Sequence, residues 1–180
     1  VEFMTTPMSH FAAVKVKDLV KRWKVGSADI TDFELLDFLA STKKPIIMST
    51  GMSTIEQVDR AVKRLQKRGA DFSLVHCVSL YPCPPESVNL LTIPYLATRY
   101  DVPVGFSDHS LSLSIPVQAV KLGAHVIEKH FTLDRECPVG PDHKVSLEPS
   151  EFAPMVEAIR NTDTRIFGRV GKFLLSEEKI

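Results

Sequence analysis

The chain has 180 residues, which is enough for one domain with a sizeable buried core. Its composition, 44% hydrophobic and 24% charged, is that of an ordinary globular protein and excludes collagen-like, coiled-coil and disordered classes. The 22 basic and 22 acidic side chains balance, so we expect neither a nucleic-acid partner nor a membrane-surface partner. No apolar run reaches the roughly 20 residues of a membrane-spanning helix, and no secretion signal is visible. The 3 cysteines lack a CxxC spacing, which indicates free thiols and a reducing, cytoplasmic setting.

Short apolar runs alternate with amphipathic stretches along the chain, and the runs start roughly 20 to 30 residues apart. Strands that alternate with helices at this spacing indicate βαβ units and a parallel sheet, whose strands are covered on both faces. The predicted strands are Glu2–Thr5, Trp23–Gly26, Pro45–Ser49, Phe72–Cys77, Val102–Phe106 and Val126–His130.

Helix start signals lie between the predicted strands. Two capping boxes predict helices that begin after Thr31 and after Ser53, each with a glutamate three residues later. A further helix is predicted to begin at Ser150, and another to run from about Leu113 to Leu122.

Two architectures accommodate six such units: an open doubly wound sheet, and part of a (β/α)8 barrel, which usually takes about 250 residues. No GxGxxG follows a strand, which weakens the dinucleotide-binding form of the open sheet. Polar residues close nearly every predicted strand, as they do in barrel enzymes. We therefore expect an α/β fold with about six of the eight units of a (β/α)8 barrel over residues 1–165, followed by a linker over residues 166–180.

Two histidines, His109 and His130, stand at matched depth after consecutive predicted strands. Side chains alternate along a strand, so Glu128 shares the face of His130 and Lys129 takes the other. This strand end is either a solvated charged terminus or an inward polar site, where buried charges need a partner or a metal. Adjacent strands lie about 4.8 Å apart, so the two imidazoles are placed to share one metal ion. With only two imidazoles, the remaining ligands would be oxygens, which favours Mn²⁺ or Mg²⁺ over a closed zinc site. Three other histidines are predicted not to be ligands: His10, His125 and His143.

A lysine and several hydroxyl side chains stand at the ends of separate predicted strands. They are either turn formers and helix caps or a cradle for a phosphate or carboxylate, with one cation and several donors. The candidates for the cradle are Thr6, Lys24, Ser27, Ser49 and Ser107.

Taken together and in order, a set of segments that covers residues 2 to about 160 resembles the N-acetylneuraminate (sialic acid) synthase family. The segments are Phe3–Pro7, Lys24–Asp29, Pro45–Ser53, His76–Pro82, Gly105–His109, Val126–Asp134 and Gly140–His143. The Met-Ser-Thr-Gly-Met-Ser, Ser-Asp-His and Glu-Lys-His-Phe-Thr motifs within them are together highly specific.

The resemblance implies a (β/α)8 barrel followed by a small antifreeze-like domain, and a homodimer at full length. It implies a cytoplasmic enzyme that condenses phosphoenolpyruvate with an N-acetylmannosamine-type sugar, releasing phosphate and making a nine-carbon 2-keto sugar acid. It also implies a divalent metal, Mn²⁺ first, with Mg²⁺ or Co²⁺ as alternatives.

Carried over motif by motif, the resemblance also assigns roles to residues. The metal histidines are His109 and His130, and the phosphoenolpyruvate contacts are Thr6, Lys24, Ser27, Ser49 and Ser107. The catalytic candidates are Glu128, Asp29 and Tyr81, and the sugar contacts are Ser79, Tyr81 and Asp142. Glu128 is a candidate for proton transfer or for orienting bound water.

The first two strands of the family barrel and its C-terminal domain have no counterpart in these 180 residues, so we expect this chain alone to be inactive. Two alternatives stay open. One is a related enzyme: a metal-dependent aldolase, or a synthase for legionaminic or pseudaminic acid. The other is a truncated, inactive fragment with a binding or structural role.

Overall fold

Helices and strands alternate along residues 1–162, the part of the chain that the computed structural model describes. The chain divides into two compact units, Val1–Val75 and a second that begins at His76. The predicted linker at residues 166–180 and the last three residues of the predicted barrel domain lie outside the described residues.

The first unit is built from parallel strands connected by helices. Its helices are α1 (His10–Val16), α2 (Phe33–Ser41) and α3 (Ile55–Lys67), and its strands are β1 (Trp23–Val25), β2 (Ile46–Ser49) and most of β3 (Phe72–Cys77). β1 pairs with β2 from Trp23 opposite Ile46, and β2 pairs with β3 from Ile46 opposite Phe72. All four residues of β2 are buried, as expected for a parallel strand covered on both faces.

The core of the first unit combines these buried strands with the apolar faces of α2 and α3, which contact each other. In α3 the buried residues recur at helical spacing, Val58, Ala61, Val62 and Leu65. Trp23 is fully buried, and its Nε1 donates a hydrogen bond to Thr42 Oγ1 at 2.9 Å. The one polar atom of this large side chain is therefore satisfied, which keeps its burial favourable.

Helix α2 begins one residue later than predicted, and so does α3. Asp32, rather than Thr31, accepts from Leu35 N at 2.9 Å, and Thr54, rather than Ser53, forms a reciprocal capping box with Gln57. Both sites offer two adjacent side chains able to cap, and the local backbone selects the second.

The second unit repeats the strand–helix alternation. It contains α4 (Thr92–Tyr100), β4 (Val104–Asp108), α5 (Ser114–Lys121), β5 (Ile127–Lys129) and α6 (Pro149–Arg160). β4 and β5 pair parallel, with Ser107 opposite Glu128 and Asp108 opposite Lys129. α6 is capped by Glu148 with Glu151, upstream of the predicted Ser150.

Gly105 lets β4 come close to the segment that leads into β5. A Cβ atom at Gly105 would lie 2.7 Å from Val126 O and 2.8 Å from Val126 Cβ, so a larger side chain forces the strands apart. Phe106 N donates to Val126 O at 2.8 Å, which makes this close approach part of the strand pairing.

The α/β class with parallel strands is confirmed, with the strands ordered β1 to β5 where six were predicted. The prediction of a strand over Glu2–Thr5 is wrong. Lys24 N donates to Thr5 O at 3.3 Å, but Phe3 and Met4 are exposed and the segment forms no ladder. Within residues 1–162, no helix is long and apolar enough to cross a membrane.

Candidate functional site

Parallel pairing of β4 and β5 brings His109 and His130 together. Each histidine directly follows its strand, at the same depth in the register. The ring centroids of the two imidazoles lie 5.3 Å apart, and the ring planes are tilted by 52°. Strand alternation thus places two imidazoles on one face, close to a common point.

A backbone carbonyl fixes the orientation of the His109 ring. Val78 O lies 2.8 Å from His109 Nδ1, and a carbonyl oxygen only accepts hydrogen bonds, so the proton belongs on Nδ1. Nε2 is then the ring nitrogen that Val78 O does not engage, and it lies 3.5 Å from Ser107 Oγ. In metal sites, a histidine that binds the ion through one ring nitrogen commonly donates a hydrogen bond from the other nitrogen to a backbone carbonyl.

Tyr81 lies against both imidazoles. Its ring is nearly parallel to that of His109, with centroids 4.0 Å apart, and nearly perpendicular to that of His130, at 5.8 Å. Burial raises the pKa of the Tyr81 hydroxyl, and nearby acidic groups raise it further. The hydroxyl is therefore a neutral hydrogen-bond donor near pH 7.

Glu128 and Asp142 act electrostatically on the His130 imidazole. Burial lowers the pKa of the His130 imidazole and so does His109, while Asp142 and Glu128 oppose the shift. His130 is accordingly neutral near pH 7, with a lone pair available. Glu128 Oε2 is buried, whereas Asp142 is exposed at the start of a 3₁₀ turn, Asp142–Val145.

The turn that carries Asp142 is tied to the residues after β5. Thr132 Oγ1 lies 2.7 Å from His143 Nδ1, and Ser146 Oγ donates to Asp142 O at 2.7 Å. His143 is thereby engaged by Thr132, apart from the pair of His109 and His130. Ser79, a predicted sugar contact, is half-buried just after β3.

The residues around His109 and His130 fit a divalent ion that keeps open positions. Burial lowers the pKa of His130, which favours the neutral form that coordinates metals, and Val78 O engages His109 Nδ1, so that Nε2 is the nitrogen that could bind an ion. Within residues 1–162, no group of three or more His, Cys, Asp and Glu side chains is arranged to hold a metal. Two protein ligands leave the remaining positions to water or substrate oxygens, which suits Mn²⁺ or Mg²⁺ better than structural zinc.

In the first unit, Lys24 and Ser49 form a buried polar pair. Lys24 lies within β1 and is 7% exposed, and Ser49 ends β2 and is 2% exposed. Lys24 Nζ donates to Ser49 Oγ at 2.7 Å and reaches Val25 O at 3.5 Å. A buried ammonium is costly unless acceptors or negative charges surround it, and Ser49 Oγ, Val25 O and the nearby Asp29 carboxyl offset part of that cost.

Thr6 and Asp29 lie over Gly26. A Cβ atom on Gly26 would lie 3.2 Å from Asp29 Oδ2 and 3.5 Å from Thr6 Cγ2. Burial raises the pKa of the Asp29 carboxyl, Asp32 raises it too, and Lys24 lowers it. Ser27 opens the 3₁₀ turn that ends at Asp29 and is half-buried.

The five cradle candidates are thus divided between the two units. Four belong to the first unit: Thr6, Lys24, Ser27 and Ser49. Ser107 belongs to the second unit, where it lies beside His109.

Two features of the second unit were not predicted from the sequence. One is the Val78 carbonyl, which has no side-chain signal. The other is an ion pair between Lys129 Nζ and Asp108 Oδ2, 2.7 Å apart. The sequence does contain a signal for this ion pair, because Asp108 and Lys129 directly precede the two histidines at matched depth on consecutive strands.

Known proteins include relatives that are similar to this chain over nearly its whole length. An uncharacterised protein of Methanocaldococcus jannaschii is 46% identical over 180 residues, which cover 99% of this chain and 51% of the relative. The N,N'-diacetyllegionaminic acid synthase of Legionella pneumophila is 41% identical over 170 residues, which cover 91% of this chain and 48% of the relative. The chain therefore spans about half the length of these relatives.

The chain is also similar to solved structures. The N-acetylneuraminic acid synthetase of Leptospira borgpetersenii, solved with citrate, superposes with a TM-score of 0.87 at 36% identity, over 93% of this chain and 59% of that one. A phospho-2-dehydro-3-deoxyheptonate aldolase of Thermotoga maritima shares the fold alone, with a TM-score of 0.78 at 18% identity, over 93% of this chain and 52% of that one. These likenesses confirm the class as a partial (β/α)8-type barrel. The model of the NeuB family matches residues 1–170, and the chain belongs to this family.

Proposed function

We propose that the protein of which this chain is part condenses phosphoenolpyruvate with an N-acetylated amino sugar of the N-acetylmannosamine type. One carbon–carbon bond forms between the enol carbon and the sugar aldehyde carbon, water is consumed, and phosphate is released with a nine-carbon 2-keto sugar acid. The observation that carries this proposal is the pair of adjacent imidazoles, His109 and His130, held beside Tyr81 in a chain of this family.

The two histidines would hold Mn²⁺, with Mg²⁺ or Co²⁺ as alternatives. His109 would bind through Nε2, because Val78 O engages the Nδ1 proton. When bound, a divalent ion supplies Lewis-acid polarisation of the aldehyde oxygen. Ser107 Oγ, 3.5 Å from His109 Nε2, is a neighbouring donor for substrate oxygens.

Lys24 would neutralise phosphoenolpyruvate in the first unit. Its Nζ is buried and held by Ser49 Oγ, so it loses little side-chain freedom on meeting an anion. Thr6, Ser27 and Ser49 would add hydroxyl donors. A fixed cation with several donors favours a phosphate or carboxylate over water.

Three side chains would handle the sugar and the proton transfers. Tyr81 carries a neutral hydroxyl that donates to a sugar oxygen, and Glu128 would accept a proton or orient a water molecule. Asp29, whose pKa is raised by burial, is a second carboxyl that can retain a proton near neutral pH more readily than an exposed aspartate. Ser79 and Asp142 would complete the sugar contacts.

The test uses the full-length protein with phosphoenolpyruvate, Mn²⁺ and N-acetylmannosamine, and measures phosphate release and the mass of the product. We expect sugar-dependent phosphate release in wild type and at least a 100-fold lower rate in H109A/H130A. H125Q is the matched control, since His125 is exposed and outside the site. Phosphate release that does not depend on any amino sugar contradicts the proposal.

A second candidate is synthesis of legionaminic or pseudaminic acid, which the Legionella pneumophila relative favours. It differs only in the sugar, so the same assay is run with the corresponding diacetamido sugars. A higher kcat/KM with one of those sugars than with N-acetylmannosamine selects this candidate.

A further inference from the structure

Asp108 and Lys129 form an ion pair on the face of β4 and β5 opposite the two histidines. Lys129 Nζ lies 2.7 Å from Asp108 Oδ2, and the two side chains are 1% and 0% exposed. The register sets the two residues directly opposite each other. Because side chains alternate along a strand, the pair points away from the face that carries Ser107 and Glu128.

The same two side chains hold the backbone around His109. Asp108 Oδ1 accepts a hydrogen bond from Ser110 N at 2.9 Å, and Lys129 Nζ donates to Ser110 O. His109 lies between Asp108 and Ser110 in the sequence, and its own carbonyl oxygen accepts a hydrogen bond from Cys83 N at 2.9 Å. His130 is the next residue after Lys129, so the ion pair joins the two residues that directly precede the histidines.

Stability alone is a weak reason for a buried ion pair. The desolvation of two charges offsets much of their attraction, and apolar side chains of similar volume often serve as well. Apolar side chains cannot supply the directed hydrogen bonds that join Asp108 and Lys129 to Ser110. Such outer groups matter to metal ligands, since their loss commonly weakens metal binding about 10- to 100-fold.

We propose that Asp108 and Lys129 are positioning residues that set the spacing and orientation of His109 and His130. The inference rests on the proposed function, in which the two imidazoles bind a divalent ion. Neither residue contacts the ion or the substrates in this scheme, and both act through the strands and the residues that follow them.

The test compares the full-length wild-type protein with D108L/K129M. This variant removes both charges together, so no buried charge is left unpaired, and a thermal melt checks that it folds. D108N is the conservative variant, because it keeps the side-chain shape and the acceptor for Ser110 N. R64M is the control, since it breaks the ion pair between Arg64 and Asp37 in the first unit.

Two readouts separate positioning from simple stability. Titration with Mn²⁺ alone, followed by electron paramagnetic resonance of the free ion, gives the affinity. Long-range proton–nitrogen NMR correlations of the metal-free protein give the tautomer of His109, which Val78 O holds as Nδ1–H in wild type.

We expect D108L/K129M to bind Mn²⁺ at least tenfold more weakly than wild type and to lose the fixed His109 tautomer. D108N gives a smaller loss of affinity, and R64M matches wild type. If D108L/K129M retains both wild-type affinity and the wild-type tautomer, the positioning role is wrong. Failure of the wild-type protein to bind Mn²⁺ overturns the metal site of the proposed function instead, and the metal-free NMR comparison still decides the positioning role.

Discussion

Lys24 Nζ donates a hydrogen bond to Ser49 Oγ at 2.7 Å, and both side chains are almost completely buried on neighbouring parallel strands. Burial withdraws the ammonium group from water and leaves it dependent on the acceptors and negative charges around it. If the proposed function holds, Lys24 is the residue of the first unit whose loss would change anion binding most directly.

Replacing Lys24 with methionine removes the charge and keeps the length of the side chain. We expect K24M to weaken phosphoenolpyruvate binding by about tenfold or more, because a charge-assisted contact is lost, and to leave Mn²⁺ binding nearly unchanged. Isothermal titration of the full-length protein with each ligand measures both. K21M is the control, since the Lys21 side chain is 82% exposed. Equal phosphoenolpyruvate affinity in K24M and wild type shows that Lys24 is only a structural charge.

Replacing Gly105 with alanine tests the close approach of β4 to Val126. The added Cβ atom meets backbone at 2.7 Å, which cannot yield by rotation of a side chain. We expect G105A to lower the free energy of unfolding by about 1–3 kcal/mol, as overpacked cores do. G26A is the graded control, because its nearest contact is the Asp29 carboxylate at 3.2 Å, which can move. Urea denaturation compares the two, and a larger loss in G26A contradicts the expectation.

His76 makes stability depend on pH. It is 5% exposed, its Nε2 lies 2.7 Å from Val88 O, and burial lowers the pKa of its imidazole. Above its unfolded pKa of about 6.5 both states are neutral and His76 contributes no pH dependence. As pH falls below that value the unfolded chain takes up a proton more readily than the folded one, so stability decreases towards the lower folded pKa.

We therefore expect the urea midpoint of wild type to fall more steeply between pH 7.5 and about pH 5 than that of H76Q, which retains a donor for Val88 O. His130, whose pKa is lowered as well, is present in both proteins and contributes equally. H125Q, at an exposed histidine, serves as the control and keeps the wild-type slope. Identical slopes in H76Q and wild type contradict the assignment.

The 180-residue chain, tested alone, is expected to turn over substrates far more slowly than the full-length protein. The two histidines proposed to bind the metal and the residues proposed to bind the anion lie within it, so Mn²⁺ binding is expected to persist weakly. A loss of about 100-fold or more in rate follows if the site loosens by about 1 Å. A phosphate-release assay on both proteins measures this, and a chain that turns over near the full-length rate shows that the expectation is wrong.

Strand alternation and matched depth were enough to predict that His109 and His130 lie together, because both follow from the two-residue period of a parallel strand. The Asp108–Lys129 pair obeys the same rule on the other face, and it was predictable once the register of β4 and β5 was fixed. The contact of Val78 O with His109 could not be predicted, since backbone groups carry no residue-type signal. Glu2–Thr5 has strand-like composition, but forming a strand requires a ladder of hydrogen bonds that composition alone cannot specify.

Trp23 also offers a built-in optical probe. It is the only tryptophan of the chain, and its indole is wholly buried in the first unit with its nitrogen bonded to Thr42. Tryptophan emission therefore reports the melting of the first unit, whereas far-ultraviolet circular dichroism averages over the helices of both. Coincident transitions in the two signals identify a single cooperative block, and separated transitions assign a stability to each unit without any label.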